Sequence, residues 1–160
     1  GGEWRKTSVD ELFEINSSKK IFHANQLSVS DVQKDNTYPY VVRSALNNGI
    51  RGYIEQEKKY LNPEKTLSFA QDTFTVFYQE QPYFTGNKVK VLRLRKRELN
   101  REIAMFFVSI CEKTLGHLTW GTGSTVESIK NIKINVPYIN NKVAYEYMED
   151  YVKTLEAERI

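Results

Sequence analysis

Apolar and polar positions change period several times along this chain, and each change marks a predicted element. Tyr38-Pro39-Tyr40-Val41-Val42-Arg43 is rich in β-branched and aromatic residues, with Pro39 placed as a first strand residue or an edge residue. Asn47-Asn48-Gly49 follows, a turn signal because Asn and Gly tolerate positive φ, and then comes the strand-like Ile50-Arg51-Gly52-Tyr53-Ile54. The pair predicts a hairpin. Thr66-Leu67-Ser68-Phe69 and Thr73-Phe74-Thr75-Val76-Phe77-Tyr78 flank a turn at Ala70-Gln71-Asp72 and predict two more strands. Gln81 to Asn87 then bridges to an alternating strand from Lys88 to Leu94, which gives an expected sheet of at least five strands.

Helical spacing begins at Asn100, an N-cap residue type, with Ile103, Phe107, Ile110, Cys111 and Leu115 on one face and Gly116 where a C-terminal cap belongs. Ordinary burial explains that apolar stripe better than a ligand site does. Near the N-terminus, Leu12-Phe13-Glu14-Ile15 reads as a short strand or a helix end, followed by a polar loop carrying Lys19 and Lys20. The closing third combines the glycine-broken loop Gly121-Thr122-Gly123-Ser124-Thr125 with the apolar positions Ile129, Ile132, Ile134 and Val136-Pro137. A charged helix then runs to the end. Tyr145, Met148, Val152 and Leu155 form its seam, which is too short to demand a coiled-coil partner, so a partner helix and the same domain are equal candidates to cover it.

At 160 residues the chain suits one domain able to bury roughly two thirds of its unfolded surface. No apolar run approaches the roughly 18 residues that span a bilayer, and the reading is of a soluble, cytoplasmic protein. Cys111 is the only cysteine, so neither an internal disulfide nor a cysteine-based zinc site can form. Gly1-Gly2 lacks the basic and apolar regions of a signal peptide and reads as a cloning remnant. The net charge is +3, and its distribution says more than its size. Five acids against Lys153 and Arg159 leave the segment from Val143 onward at −3, and the remainder at +6. The densest basic stretch is Lys88 to Arg97; such a stripe suits phosphates, but it equally suits a solvated face or a blunted strand edge.

Signatures of catalysis are mostly missing. There is no G-x-x-x-x-G-K-[ST] phosphate loop and no G-x-G-x-x-G opening a helix after a strand. His23 and His117 are far apart in sequence, and Cys111 sits on an apolar stripe where a reactive thiolate is disfavoured. Asn135-Val136-Pro137-Tyr138 approaches the N-P-P-Y loop of amino-group DNA methyltransferases. Its first proline is missing, however, and nothing in the chain offers S-adenosylmethionine a glycine-rich turn. Carboxylates are scattered apart from Asp10-Glu11, so no metal site and no cofactor is expected.

What remains is a set of groups suited to reading nucleic acid. Arginine matches the O6/N7 edge of guanine and Asn or Gln the N6/N7 edge of adenine, since each offers two correctly spaced hydrogen-bonding atoms. Arg43, Asn47, Asn48 and Arg51 surround the predicted hairpin turn, Gln79 and Lys88 border the next polar loop, and Lys19, Lys20 and Thr122 lie in two others. Loop placement and residue chemistry therefore make these nine the expected DNA contacts. Taken alone, turn chemistry is the simpler account of Asn47-Asn48-Gly49, and partial burial the simpler account of Trp120.

Glu3-Trp4, Asp10-Glu11-Leu12-Phe13-Glu14-Ile15, Tyr38-Pro39-Tyr40-Val41, Asn47-Asn48-Gly49-Ile50, Phe77-Tyr78-Gln79 and the Gly121-to-Pro137 segment together resemble a target recognition domain. Such domains belong to the specificity subunits of type I restriction-modification systems and to related restriction enzymes. The resemblance spans nearly the whole chain, with one departure: many members carry consecutive prolines where this chain has Val136-Pro137-Tyr138. It implies an α/β fold of the α+β type, with a mixed, mostly antiparallel β-sheet, packed helices and a C-terminal spacer-like helix. It also implies a DNA target recognition domain over residues 1–141 and the start of a helical spacer over 142–160. The implied partners are double-stranded DNA, methyltransferase and restriction subunits or domains, and a second recognition domain reached through spacer helices, with no membrane. Methylation and cleavage would reside in those partners, so the chain itself is expected to be non-catalytic and to bind DNA weakly as an isolated half. Two other classes stay open: a catalytic fragment of a restriction or modification enzyme, and a helix-mediated assembly module whose basic stripe is incidental.

Overall fold

The computed structural model describes residues 2–115 and 126–158. In chain order the elements are strand β1 (Gly2–Ser8), helix α1 (Val9–Leu12), β2 (Phe13–Ser17), β3 (Tyr38–Val41), β4 (Ile50–Ile54), β5 (Thr66–Ala70), β6 (Thr75–Gln79), β7 (Phe84–Thr85) and β8 (Val89–Leu94), then helices α2 (Arg101–Leu115) and α3 (Val126–Lys130), β9 (Lys133–Ile139), β10 (Lys142–Val143) and helix α4 (Tyr145–Glu158). Both predicted hairpins form: β3 pairs antiparallel with β4, and β5 with β6. Helix α2 starts where its cap residue places it, with Asn100 Oδ1 accepting from the Ile103 amide at 2.9 Å. The fold is α+β with mixed, mostly antiparallel pairing; the exception among the named strands is the parallel pair β3–β7.

The expected single sheet is instead divided. Strands β2-β8-β5-β6 form one sheet, β4-β3-β7 a second, and β1-β9-β10 a third. The division has a local cause. Lys88, at φ 61°, turns the chain between β7 and β8, so the two strands on either side of it join different sheets. The outer edge of β4 is closed by the Ser30–Tyr53 bridge, and a Cβ at Gly52 would lie 2.5 Å from Val29 Cγ1, so only glycine lets that segment approach. Strand β1, which no apolar alternation announces, pairs with β9 along its whole length from Gly2–Ile139 to Ser8–Lys133.

Helix α2 is the organiser of the main core. Ile103, Phe107 and Cys111 are buried against the four-stranded sheet, and Phe107 meets Phe13 edge-on with ring centroids 5.0 Å apart. Burial of Ile103 and of Phe107 contributes about 1.5–3 kcal/mol each. On its other side α2 receives α4, whose Met148 and Val152 are buried. Asn100, Arg97 and Arg101 bind Glu149 and Glu156 of the same helix. The seam of α4 therefore packs on this domain through its middle, while Leu155, Tyr147 and Tyr151 stay exposed. Among the described residues no buried side-chain nitrogen or oxygen lacks a hydrogen-bond partner.

Candidate nucleic-acid interface

Three turns converge at one end of the β3–β4–β7 sheet. The first joins β3 to β4 over residues 42–49, the second is the β5–β6 turn at residues 71–74, and the third is residues 86–88 between β7 and β8. Backbone bonds tie them together: Val42 N donates to Gly49 O at 2.9 Å, Gly86 N to Val41 O at 2.8 Å, and Gln71 N to Lys88 O at 2.9 Å. Asn47, Asn48 and Gly49 hold φ of 50°, 58° and 76°, three successive left-handed residues of the types that adopt them most readily. The β3–β4 connection is consequently a longer, folded-back loop, not the tight turn that Asn47-Asn48-Gly49 predicts.

Asp72 is the electrostatic centre of this cluster. Arg43 Nη1 donates to its Oδ2 at 2.9 Å and Lys88 Nζ donates to the same oxygen at 3.0 Å. All three side chains are about a third to a half exposed, so the group faces solvent. The Lys88 ammonium, with Arg43 beside it, holds the Asp72 carboxyl below the usual carboxylate range. Sequence reading placed Asp72 in a turn but not at this junction, because its partners lie 29 and 16 positions away. A lone acid at the tip between two cationic loops is the only signal the chain offers.

The other expected contacts take distinct places. Asn47 and Asn48 are exposed in the first turn, with their amide nitrogens donating to Ile50 O and Tyr78 O. Gln79 lies beneath them at 2% exposure, and its Nε2 donates to Asn48 O at 3.0 Å and Ser68 Oγ at 3.2 Å. Its amide thus supports the loop from inside instead of being displayed. Arg51 is exposed on β4, near enough to Tyr40 that its charge opposes the upward push burial gives that phenol. Lys19 and Lys20 lie to one side, in the segment leading to the Ile21–Thr85 bridge. The Lys20 ammonium there sits 4.6 Å from the Tyr60 ring centroid and 5.2 Å from that of Phe22. Thr122, with Trp120 and the Gly121–Thr125 loop, lies outside the described residues.

The basic stripe is split by the fold. Strand β8 is interior to its sheet, so its cations do not guard an edge. Lys88 joins the three-turn cluster, Lys90 reaches Ser17, and Arg95 and Arg97 are bound at the far end by Asp10 and Glu149. Burial meanwhile pushes the Cys111 thiol up to about 12, which keeps it protonated at neutral pH and out of nucleophilic chemistry. Among the described residues no group of three or more His, Cys, Asp or Glu side chains is arranged to hold a metal ion, and no helix is long and apolar enough to cross a membrane.

Known proteins share this architecture. The chain is 26% identical over 149 residues to the type II restriction enzyme specificity subunit S.BcgI of Heyndrickxia coagulans, a match covering 92% of this chain and 42% of that protein. The crystal structure of the S subunit of a type I restriction-modification system from M. genitalium superposes with a TM-score of 0.60 at 18% identity, over 97% of this chain and 39% of that one. The HsdS subunit from Thermoanaerobacter tengcongensis gives 0.64 at 12% identity, with 97% and 38% covered. A chain from a structure describing assembly and conformational transition of the type I R-M system gives 0.66, also at 12%. These structures share the fold, and the chain spans about two fifths of the length of each relative. The family model for the type I restriction modification DNA specificity domain matches residues 1–160 in full, and this chain belongs to that family.

Proposed function

We propose that this chain is a non-catalytic target recognition unit that binds duplex DNA through its three-turn face and directs methyltransferase and endonuclease activities carried by partner polypeptides. The observation that carries this reading is the convergence of Arg43, Asn47, Asn48 and Lys88 on one exposed, hydrogen-bonded cluster of turns. Rigid loops held by their own backbone bonds present side chains without a large ordering cost on binding. Arg43 and the remaining amide atoms of Asn47 and Asn48 supply base-edge chemistry, while Lys88, Arg51, Lys19 and Lys20 supply cations for phosphates. The recognition unit covers residues 1–141, and residues 142–160 begin a spacer leading to a second recognition domain. The exposed Tyr147, Tyr151 and Leu155 on α4 support that assignment, since a helix with solvent-facing apolar residues has surface left to pair.

The test is duplex binding by the full chain across a salt series, comparing wild type with the combined Arg43→Ala, Arg51→Ala and Lys88→Ala variant. The reading predicts an affinity loss of at least about tenfold and a salt slope shallower by about 2, because each phosphate neutralised contributes about 0.9 to that slope. Unchanged affinity and slope would place the DNA-binding face elsewhere.

A further inference from the structure

Asp72 holds two cations at once, yet it stands on the face proposed to meet a polyanion. An acid there repels phosphates and cancels part of the charge that attracts them, so its value must lie in geometry. Asp72 Oδ2 takes a single N–H of Arg43, at Nη1. The Nε–Nη2 edge of the same guanidinium carries no bond to any other described residue, and a planar fork offers two parallel donors along that edge. Those two donors match O6 and N7 of guanine. Lys88 fixes the carboxylate from its other side at 3.0 Å, and Lys88 is itself anchored because its carbonyl accepts from Gln71 N. The turn is further constrained by left-handed φ at both Asp72 and Lys88, 67° and 61°. A carboxylate pinned in this way limits where a flexible arginine can point.

Resting on the DNA-binding reading above, we propose that Asp72 is a specificity-determining positioning residue: it orients Arg43 to read guanine and keeps Arg43 and Lys88 from binding phosphates indiscriminately. It is not itself a base contact. Its two effects are separable by experiment, since loss of the carboxylate frees Arg43 to swing toward the backbone and restores two uncompensated cations to the face.

The test uses the full chain with the Asp72→Asn and Arg43→Lys variants. Asn keeps the size and tolerates the left-handed backbone, and Lys keeps the charge but loses the fork. Two measurements are made on each: selection of bound sites from a random duplex library, and affinity for one arbitrary duplex across a salt series. For Asp72→Asn the expected result is a preference at one base position weakened about fivefold or more, together with tighter arbitrary-duplex binding and a salt slope steeper by about 1. Arg43→Lys weakens preference at that same position without tightening arbitrary binding. A purely structural role for Asp72 would instead lower both preference and affinity, and that outcome overturns the proposal. So does an Asp72→Asn variant whose lost preference falls at a different position from that of Arg43→Lys. If wild type binds duplex DNA with an unaltered preference in Asp72→Asn, the positioning role fails while the recognition reading stands. If wild type binds no duplex at any salt, both fail.

Discussion

Replacing Gln79 with Leu tests whether this residue supports the recognition loop or touches DNA. Its side chain is 2% exposed, and its amide donates to Asn48 O and Ser68 Oγ. Leucine nearly conserves the volume, so little cavity is made, and the cost comes from hydrogen bonds. Two bonds at about 1 kcal/mol each sum to about 2 kcal/mol, with the orphaned Asn48 carbonyl relieved in part by water because that residue is exposed. In a domain of this length that corresponds to a Tm lowered by about 4–8 °C. The assay is thermal unfolding followed by circular dichroism, with duplex affinity measured well below the transition. The Tm should drop while duplex affinity falls by no more than a few-fold, since no displayed group is lost. A variant that melts like wild type but loses a tenfold or greater share of DNA affinity would refute the internal role, and with it the hydrogen-bond geometry of the loop.

Lys88→Gly should act in opposite directions on fold and function. Glycine relieves a φ of 61° that costs an ordinary residue about 1–2 kcal/mol, partly offset by its greater unfolded-state freedom, so urea denaturation should show a gain of up to about 1 kcal/mol while duplex binding weakens. Stability should also fall at alkaline pH. Tyr83 is fully buried with its hydroxyl 2.9 Å from Thr66 Oγ1, and burial pushes that phenol far above the ordinary tyrosine value. The folded state therefore keeps a proton that the unfolded chain releases above about pH 10, so the contribution is intact below that pH and is lost as pH rises, by about 1.4 kcal/mol per unit. Urea midpoints at pH 8 and 11 measure it, and Tyr83→Phe should reduce the difference by about 1.4 kcal/mol, leaving the part that the buried Cys111 thiol contributes.

Local signals were the legible part of the fold. Asn100 and the spacing from Ile103 to Leu115 specify α2, and the turn residues between Thr66 and Tyr78 specify the β5–β6 hairpin, because both depend on contacts close in sequence. Ser8-Val9-Asp10-Glu11 carries a helix-start signature as well: Ser8 Oγ accepts from the Glu11 amide at 3.3 Å, which resolves the strand-or-helix ambiguity before Phe13. The split into three sheets was not legible, since β7 and β8 part at one left-handed lysine and the third sheet depends on β1 meeting β9, more than 120 positions away. Strand β1 is mostly exposed and reads as polar chain until β9 pairs with it. At the candidate interface, turn signals place Arg43, Asn47 and Asn48 in one loop and Lys88 at the border of the next, and the structure sets those loops side by side. It could not separate the displayed amides from Gln79, whose burial is satisfied by a loop carbonyl 31 positions away, nor anticipate that Asp72 joins two cations. Polar side chains look alike in sequence, and only tertiary partners decide which ones face out.

The most direct test of the recognition face is amide chemical-shift mapping on the full chain while a duplex is titrated in at low salt. The largest perturbations should fall within residues 42–49, 71–74 and 86–88, with smaller ones at Lys19, Lys20 and Arg51, and little change along α2. Perturbations concentrated on α2 and α4, with the three turns silent, would contradict it.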